Sequence, residues 1–162
     1  GDYVKAGDVS IVAVHTPGHA PDHLCFWHEE TRTVFGGDLA QMGTTVWIPS
    51  TQGGDVATYI ASLQRILELN PARLLPAHGP RIDDPATLLR WYIEHRWERE
   101  AQIVDALRRG DTAVEAVVAR IYRELPTVLV PQARETVTAH LQKLERECRV
   151  RRLGDGWIII EP

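Results

Sequence analysis

Three segments of this 162-residue chain run from an apolar stretch into a turn that carries a metal-ligating side chain: Thr16-Pro17-Gly18-His19, Gly36-Gly37-Asp38 and Pro76-Ala77-His78-Gly79. Pro stiffens such a turn, and Gly lets the backbone pass close to whatever the turn surrounds. A fold that contains all three presents them from strand ends, where a rigid sheet offers reactive side chains on its loops. Imidazole nitrogen and carboxylate oxygen suit Zn²⁺, and also Mn²⁺ or Fe²⁺, so residue type alone does not choose the metal. His15 and His19 as a bare His-x-x-x-His pair mean little, and any one of the three ligand candidates alone is more often a structural or surface residue. The ordered set is the informative feature.

Between these turns the chain alternates strand and helix patterns. Residues 9–14, 24–28 and 33–36 are short apolar strands, the last two forming a hairpin around Glu29-Glu30-Thr31-Arg32. Residues 42–54 are a loop. Asp55 caps a helix whose apolar positions Val56, Tyr59, Ile60, Leu63, Ile66 and Leu67 recur at helical spacing, and Asn70-Pro71 ends it. Residues 73–75 are a brief strand leading into His78. The stretches Ile11 to Val14 and Leu24 to Trp27 are apolar at every position, the pattern of a sheet covered on both faces. Only one helix of this region is available as a cover.

Beyond Asp84 the pattern changes. Residues 1–84 carry 5 Lys and Arg against 10 Asp and Glu, and residues 85–162 carry 13 against 12. Asp84-Pro85 opens a helix that runs to Arg109 before Gly110. Thr112-Ala113-Val114-Glu115 reads as a capping box for a helix through Glu124. A third helix after Pro131 places Ala133, Val137, Leu141, Leu144 and Cys148 on one face. Two strands, 150–153 and 157–160, then flank a glycine turn. Three helices and a terminal hairpin are the plan of a winged helix.

The motifs "HTPGH", "FGGDL" and "LLPAHGP" together resemble the second half of a metallo-β-lactamase-fold hydrolase. With "YIEHRWEREAQIVDAL" and "HLQKLERE" they are similar to the lactamase-β-like endoribonuclease subgroup, whose relatives include carrier-protein thioesterases. The resemblance implies an α/β (α+β) chain: half of an αββα sandwich over residues 1–84 and a winged-helix module over 85–162. It implies that His19 binds one metal, His78 a second, and that Asp38 bridges them, with two Zn²⁺ per full-length enzyme. A bridging hydroxide would then hydrolyse a thioester, an ester or an RNA phosphodiester. The family's His-x-His-x-Asp-His segment is absent here, and Ala20 replaces the hydroxyl residue usual after the first ligand. The expectations are therefore a fragment inactive by itself, completed by a missing N-terminal half or paired as a homodimer. His23 is expected to support the site, and His15, His28, His95 and His140 to stand outside the chemistry.

The competing reading is a nucleic-acid-binding winged helix with a vestigial metal half, carried by the basic cluster Arg149, Arg151 and Arg152. The net charge of −4 argues against a general polyanion binder. No apolar run approaches the roughly 20 residues a membrane helix needs. Two cysteines outside any CxxC pair point to a reducing compartment such as the cytoplasm. The absence of an initiator Met suggests that position 1 is not the native start.

Overall fold

Five strands form one sheet in the order β1 (Tyr3–Ala6), β2 (Val9–His15), β3 (Leu24–His28), β4 (Thr33–Gly37) and β5 (Arg73–Pro76). The computed structural model describes residues 2–160. The first three pairings are antiparallel, closed by short turns except for the loop 16–23 between β2 and β3, whereas β4 and β5 are parallel. A parallel pair needs a crossover, and α1 (Val56–Glu68) supplies it. Asp55 caps α1 by accepting from Thr58 N–H at 2.8 Å, as the sequence predicts. β1 is an addition to the strands expected from the sequence.

The register gives the two sheet faces different fates. Val12, Val14, Cys25, Trp27, Val34 and Leu74 point toward α1, where Val56, Tyr59, Ile60, Leu63 and Ile66 are buried. The opposite face presents Ile11, Ala13, Leu24, Phe26, Phe35 and Leu75, with Leu24 and Phe35 exposed. The both-faces-apolar pattern is thus present in the strands, and only one face has its cover.

α2 (Pro85–Arg108) is capped by Asp84 through Thr87 N–H at 3.1 Å and carries Pro at its start. Its first half places Leu89, Tyr92 and Ile93 in the core below the sheet. Its second half places Ile103, Val104 and Leu107 in a second core with α3 (Val114–Ile121), α4 (Val130–Arg146) and the hairpin β6 (Val150–Leu153) and β7 (Gly156–Ile159). Packing therefore continues through Asp84. No helix among the described residues is long and apolar enough to cross a membrane.

Two local expectations fail, one at a helix stop and one to a partner distant in the chain. Ala133, Val137, Leu141 and Leu144 are buried as predicted, but Cys148 lies past the end of α4, exposed and in the left-handed region at φ 58°. The Thr112 capping box does not form. α3 starts after Ala113 with no side-chain cap and ends at Ile121 rather than Glu124. Thr112 is instead recruited by the wing: its carbonyl accepts Trp157 N–H at 2.8 Å, and a Cβ at Gly156 would lie 3.2 Å from its side chain.

Candidate metal centre

Because β4 and β5 are parallel, both release the chain at the same edge of the sheet. A register irregularity between Phe35 and Gly37 bends β4 there, and Ala77 N–H donates to Gly37 O at 2.8 Å. Asp38 and His78 consequently leave adjacent strand ends side by side, with His78 Nε2 3.6 Å from Asp38 Oδ1. Both side chains face solvent, 42% and 74% exposed. The two glycines before Asp38 are required by close approach. A Cβ at Gly36 would lie 2.8 Å from Leu74 Cδ2, and one at Gly37, already at φ 53°, would lie 2.7 Å from His23 Nε2.

His19 sits on a turn pressed against α1. Gly18 adopts φ 136°, and a Cβ there would meet Tyr59 Cα at 2.3 Å. Asp55 N–H donates to Gly18 O at 2.8 Å and Ser62 Oγ donates to Pro17 O at 2.7 Å, so the turn is fastened at both ends of its Pro-Gly pair. His19 Nδ1 lies 2.7 Å from Trp47 O. A carbonyl only accepts, so Nδ1 carries the proton and Nε2 keeps its lone pair free for a metal.

His23 links the two loops. Asp38 N–H donates to His23 Nε2 at 3.1 Å, which assigns the ring proton to Nδ1, and Nδ1 donates to Thr16 Oγ1 at 2.8 Å. Thr16 passes the chain to Cys25 Sγ at 3.3 Å, and Cys25 donates to Gly36 O at 3.4 Å. Burial lowers the His23 pKa below the ordinary imidazole value, with His19 adding to the effect, and burial pushes the Cys25 thiol up to about 11. The His19 ring stands edge-to-face against His23 with centroids 6.4 Å apart. His15 donates to Pro21 O at 2.8 Å, and His28 pairs with Thr31 at 2.6 Å, so both hold local turns.

The structure thus places Asp38 and His78 next to each other, and His23 touches both the His19 ring and the Asp38 backbone. Among the described residues, no three His, Cys, Asp or Glu side chains converge into a group that could hold a metal ion. Asp38 and His78 are open to solvent, and His19 stands on the neighbouring turn, half-buried. Their donor chemistry fits a divalent cation: one imidazole with a free Nε2, one carboxylate, and one exposed imidazole beside it.

The helical region braces this surface, a role that no local sequence signal announces. Glu135 on α4 accepts from Ser50 Oγ at 2.7 Å and from Thr51 N–H at 2.9 Å, and Thr136 Oγ1 accepts from Ile48 N–H at 3.4 Å. Arg146 pairs with Asp55, and Arg96 on α2 donates to Val46 O. The loop so held, 46–55, contains the Trp47 carbonyl that orients His19. Of the basic cluster on the wing, Arg149 faces Glu100 at 3.1 Å, while Arg151 and Arg152 are exposed.

Residues 1–78 match the metallo-beta-lactamase superfamily and residues 113–157 match the beta-lactamase associated winged helix domain. A beta-lactamase-like protein 2 homolog of Drosophila melanogaster is 38% identical over 146 residues, covering 88% of this chain and 48% of the relative. An atrochrysone carboxyl ACP thioesterase of Aspergillus chevalieri is 33% identical over 144 residues, covering 83% and 45%. A metallo-beta-lactamase family protein from Thermus thermophilus superposes with a TM-score of 0.86 at 19% identity, over 98% of this chain and 52% of that one. This last likeness concerns the fold alone. The chain spans about half the length of the curated relatives it matches.

Proposed function

The chain carries a metallo-beta-lactamase superfamily domain and the winged helix associated with such domains, and from that premise we propose that it supplies the second half of a two-metal hydrolase centre. His19 and His78 would each hold one divalent cation, Zn²⁺ first among candidates, and Asp38 would bridge the two. The observation that carries this reading is the pair of parallel strand ends that sets Asp38 and His78 3.6 Å apart. Cations held there would supply polarisation of the scissile carbonyl and a nucleophile at neutral pH. The protein's own groups do the positioning. Trp47 O fixes the His19 tautomer, and His23 holds the Asp38 backbone from behind.

The remaining ligands would come from a preceding segment seated on the outward sheet face, where Leu24 and Phe35 are exposed. The substrate class that fits best is a thioester or ester, in line with a relative named as an acyl carrier thioesterase. Hydrolysis of an RNA phosphodiester has less support, because Arg149 of the wing is turned to Glu100. On this division residues 1–84 carry the chemistry and residues 85–162 brace it.

Asp38→Ala in the full-length protein tests the assignment. Elemental analysis should find fewer metals than in the parent, and thioester hydrolysis should fall by more than about 100-fold with the fold retained by circular dichroism. His15→Ala should be mild. Equal damage from His15→Ala would mean that the ligand in the turn has been misassigned.

A further inference from the structure

Beyond Asp38 and His78 the same two loops go on to line an apolar groove. We propose that this groove receives the acyl portion of an uncharged ester or thioester, a subsite that rests on the hydrolase reading above. One wall begins at Met42, four residues past Asp38, and continues through Gly43, Thr44 and Thr45. The other holds Arg81, Ile82 and Asp83, starting three residues past His78. Leu88, Trp91 and His95 of α2 form the floor. Two neighbouring cavities of about 340 and 390 Å³ meet at Leu88 and Trp91, which line both. Four extended residues reach at most ~14 Å, which keeps the Met42 backbone within that distance of Asp38, and the Arg81 backbone is bound to His78 by a still shorter tether.

Both walls are fixed before any ligand arrives. Tyr92 OH accepts Gln41 N–H at 3.1 Å and lies 3.0 Å from Gln41 O and 2.8 Å from Thr44 O. Ile82 is bridged to Leu74 by two backbone bonds of 2.9 Å. Trp91 is stacked on His95, with ring centroids 5.3 Å apart. A preformed groove loses little freedom on binding.

The lining also selects against a charged ligand. Arg81 and Asp83 neutralise each other at 2.8 Å, and the Asp84 carboxylate, held ionised by its bonds to Thr87, repels an anion. Burial, with Arg96 and Arg99 nearby, keeps His95 neutral by lowering its pKa to about 4. What remains is Ile82, Leu88 and the large, exposed side chains Met42 and Trp91, with hydroxyls from Thr44, Thr45 and Thr87. The one arginine of the lining is paired with Asp83, and an acyl chain would be desolvated against Leu88 and Trp91.

The probes are two non-hydrolysable thioethers, S-octyl- and S-ethyl-N-acetylcysteamine, titrated calorimetrically into the full-length protein. S-octyl should bind at least about ten-fold tighter. Met42→Lys, an exposed position that does not threaten folding, and Trp91→Ala should each remove most of that preference and leave S-ethyl binding unchanged. Equal affinity for the two probes, or an S-octyl affinity untouched by both variants, overturns the subsite. That result also covers the case in which another segment of the protein fills the groove. A protein that keeps the octyl preference, loses it in both variants, yet holds no metal and cleaves no thioester would support the groove and remove the hydrolase reading.

Discussion

Residues 2–84 leave one face of a sheet open and put their chemistry-bearing side chains on loops, whereas residues 85–160 bury their helices both against that sheet's core and against one another, and hold them with buried charge. In the first region the conformations are forced. Gly18 and Gly37 stand at positive φ with a neighbour where a Cβ would go. In the second region the specificity is electrostatic: Glu100 is buried against Lys143 at 2.8 Å and Arg149 at 3.1 Å, with fully buried His140 facing it at 3.8 Å. The difference teaches which part is built to react and which to support. An open surface with strained turns can be completed by other groups, and a closed core with paired charges gives it a rigid back.

The largest expected effect concerns the open face. Soluble monomers rarely expose contiguous apolar patches beyond a few hundred Å², so the 162-residue chain should associate through Leu24, Phe26 and Phe35, and Leu24→Lys with Phe35→Lys should disperse it. Light scattering decides this, and a well-behaved monomer of 18.2 kDa in the parent chain would break the contrast between the regions. Next comes Gly18→Ala. The added methyl meets the backbone of Tyr59, so the turn and α1 must separate at a cost of about 3 kcal/mol or more, read as a lowered urea midpoint.

The helical region should reveal itself through pH. Burial raises the Glu100 pKa, but His140 and Lys143 beside it pull it below the ordinary carboxylate value of 4.5, to about 2. Stability from this carboxylate is present above pH 4.5 and is lost as pH falls toward 2. Burial depresses His140, and burial takes His95 from 6.5 to about 4. The unfolded chain therefore binds protons first, and stability declines as pH drops below 6.5. Glu100→Gln should cost about 3 kcal/mol at neutral pH and flatten the acid limb below pH 4.5, whereas His95→Gln should flatten the segment between 6.5 and 4. Urea midpoints across pH 3–8 measure both. A midpoint that stays level down to pH 4.5 would contradict the histidine assignments.

The smallest effect tests whether the second region braces the first. Glu135→Ala removes the bonds from Ser50 and Thr51 to α4, leaving those of Thr136 and Arg146, and should change global stability by only about 1 kcal/mol. Metal affinity of the full-length protein should nevertheless fall about ten-fold, through the Trp47 carbonyl that orients His19. Unchanged metal affinity with lowered stability would make the contact simple packing.

Much of the architecture is legible in the sequence. Asp55 and Asp84 cap the helices expected of them, the apolar stripe of α1 is buried, and the terminal hairpin turns at Gly154 and Asp155. Such signals are local, written in residues a few positions apart. Where the chain stops an element early or turns a residue to a distant strand, local reading fails. Thr112 looks like a cap and serves β7 instead, Cys148 continues a helical stripe past the helix end, and β1 has little support beyond its pairing with β2.

The three turn-borne candidate ligands, the change of pattern after Asp84 and the apolar character of both sheet faces are readable from residue order alone. Which candidates meet depends on the packed fold. Asp38 and His78 are forty residues apart in the chain, and they become neighbours because the α1 crossover lays β5 parallel to β4 with an irregularity at Gly36. The bond from Asp38 N–H to His23, and the grip of Glu135 on the loop that orients His19, likewise depend on packing between segments far apart in the chain. Spacing and propensity specify elements, but these contacts exist only once the elements have closed on one another.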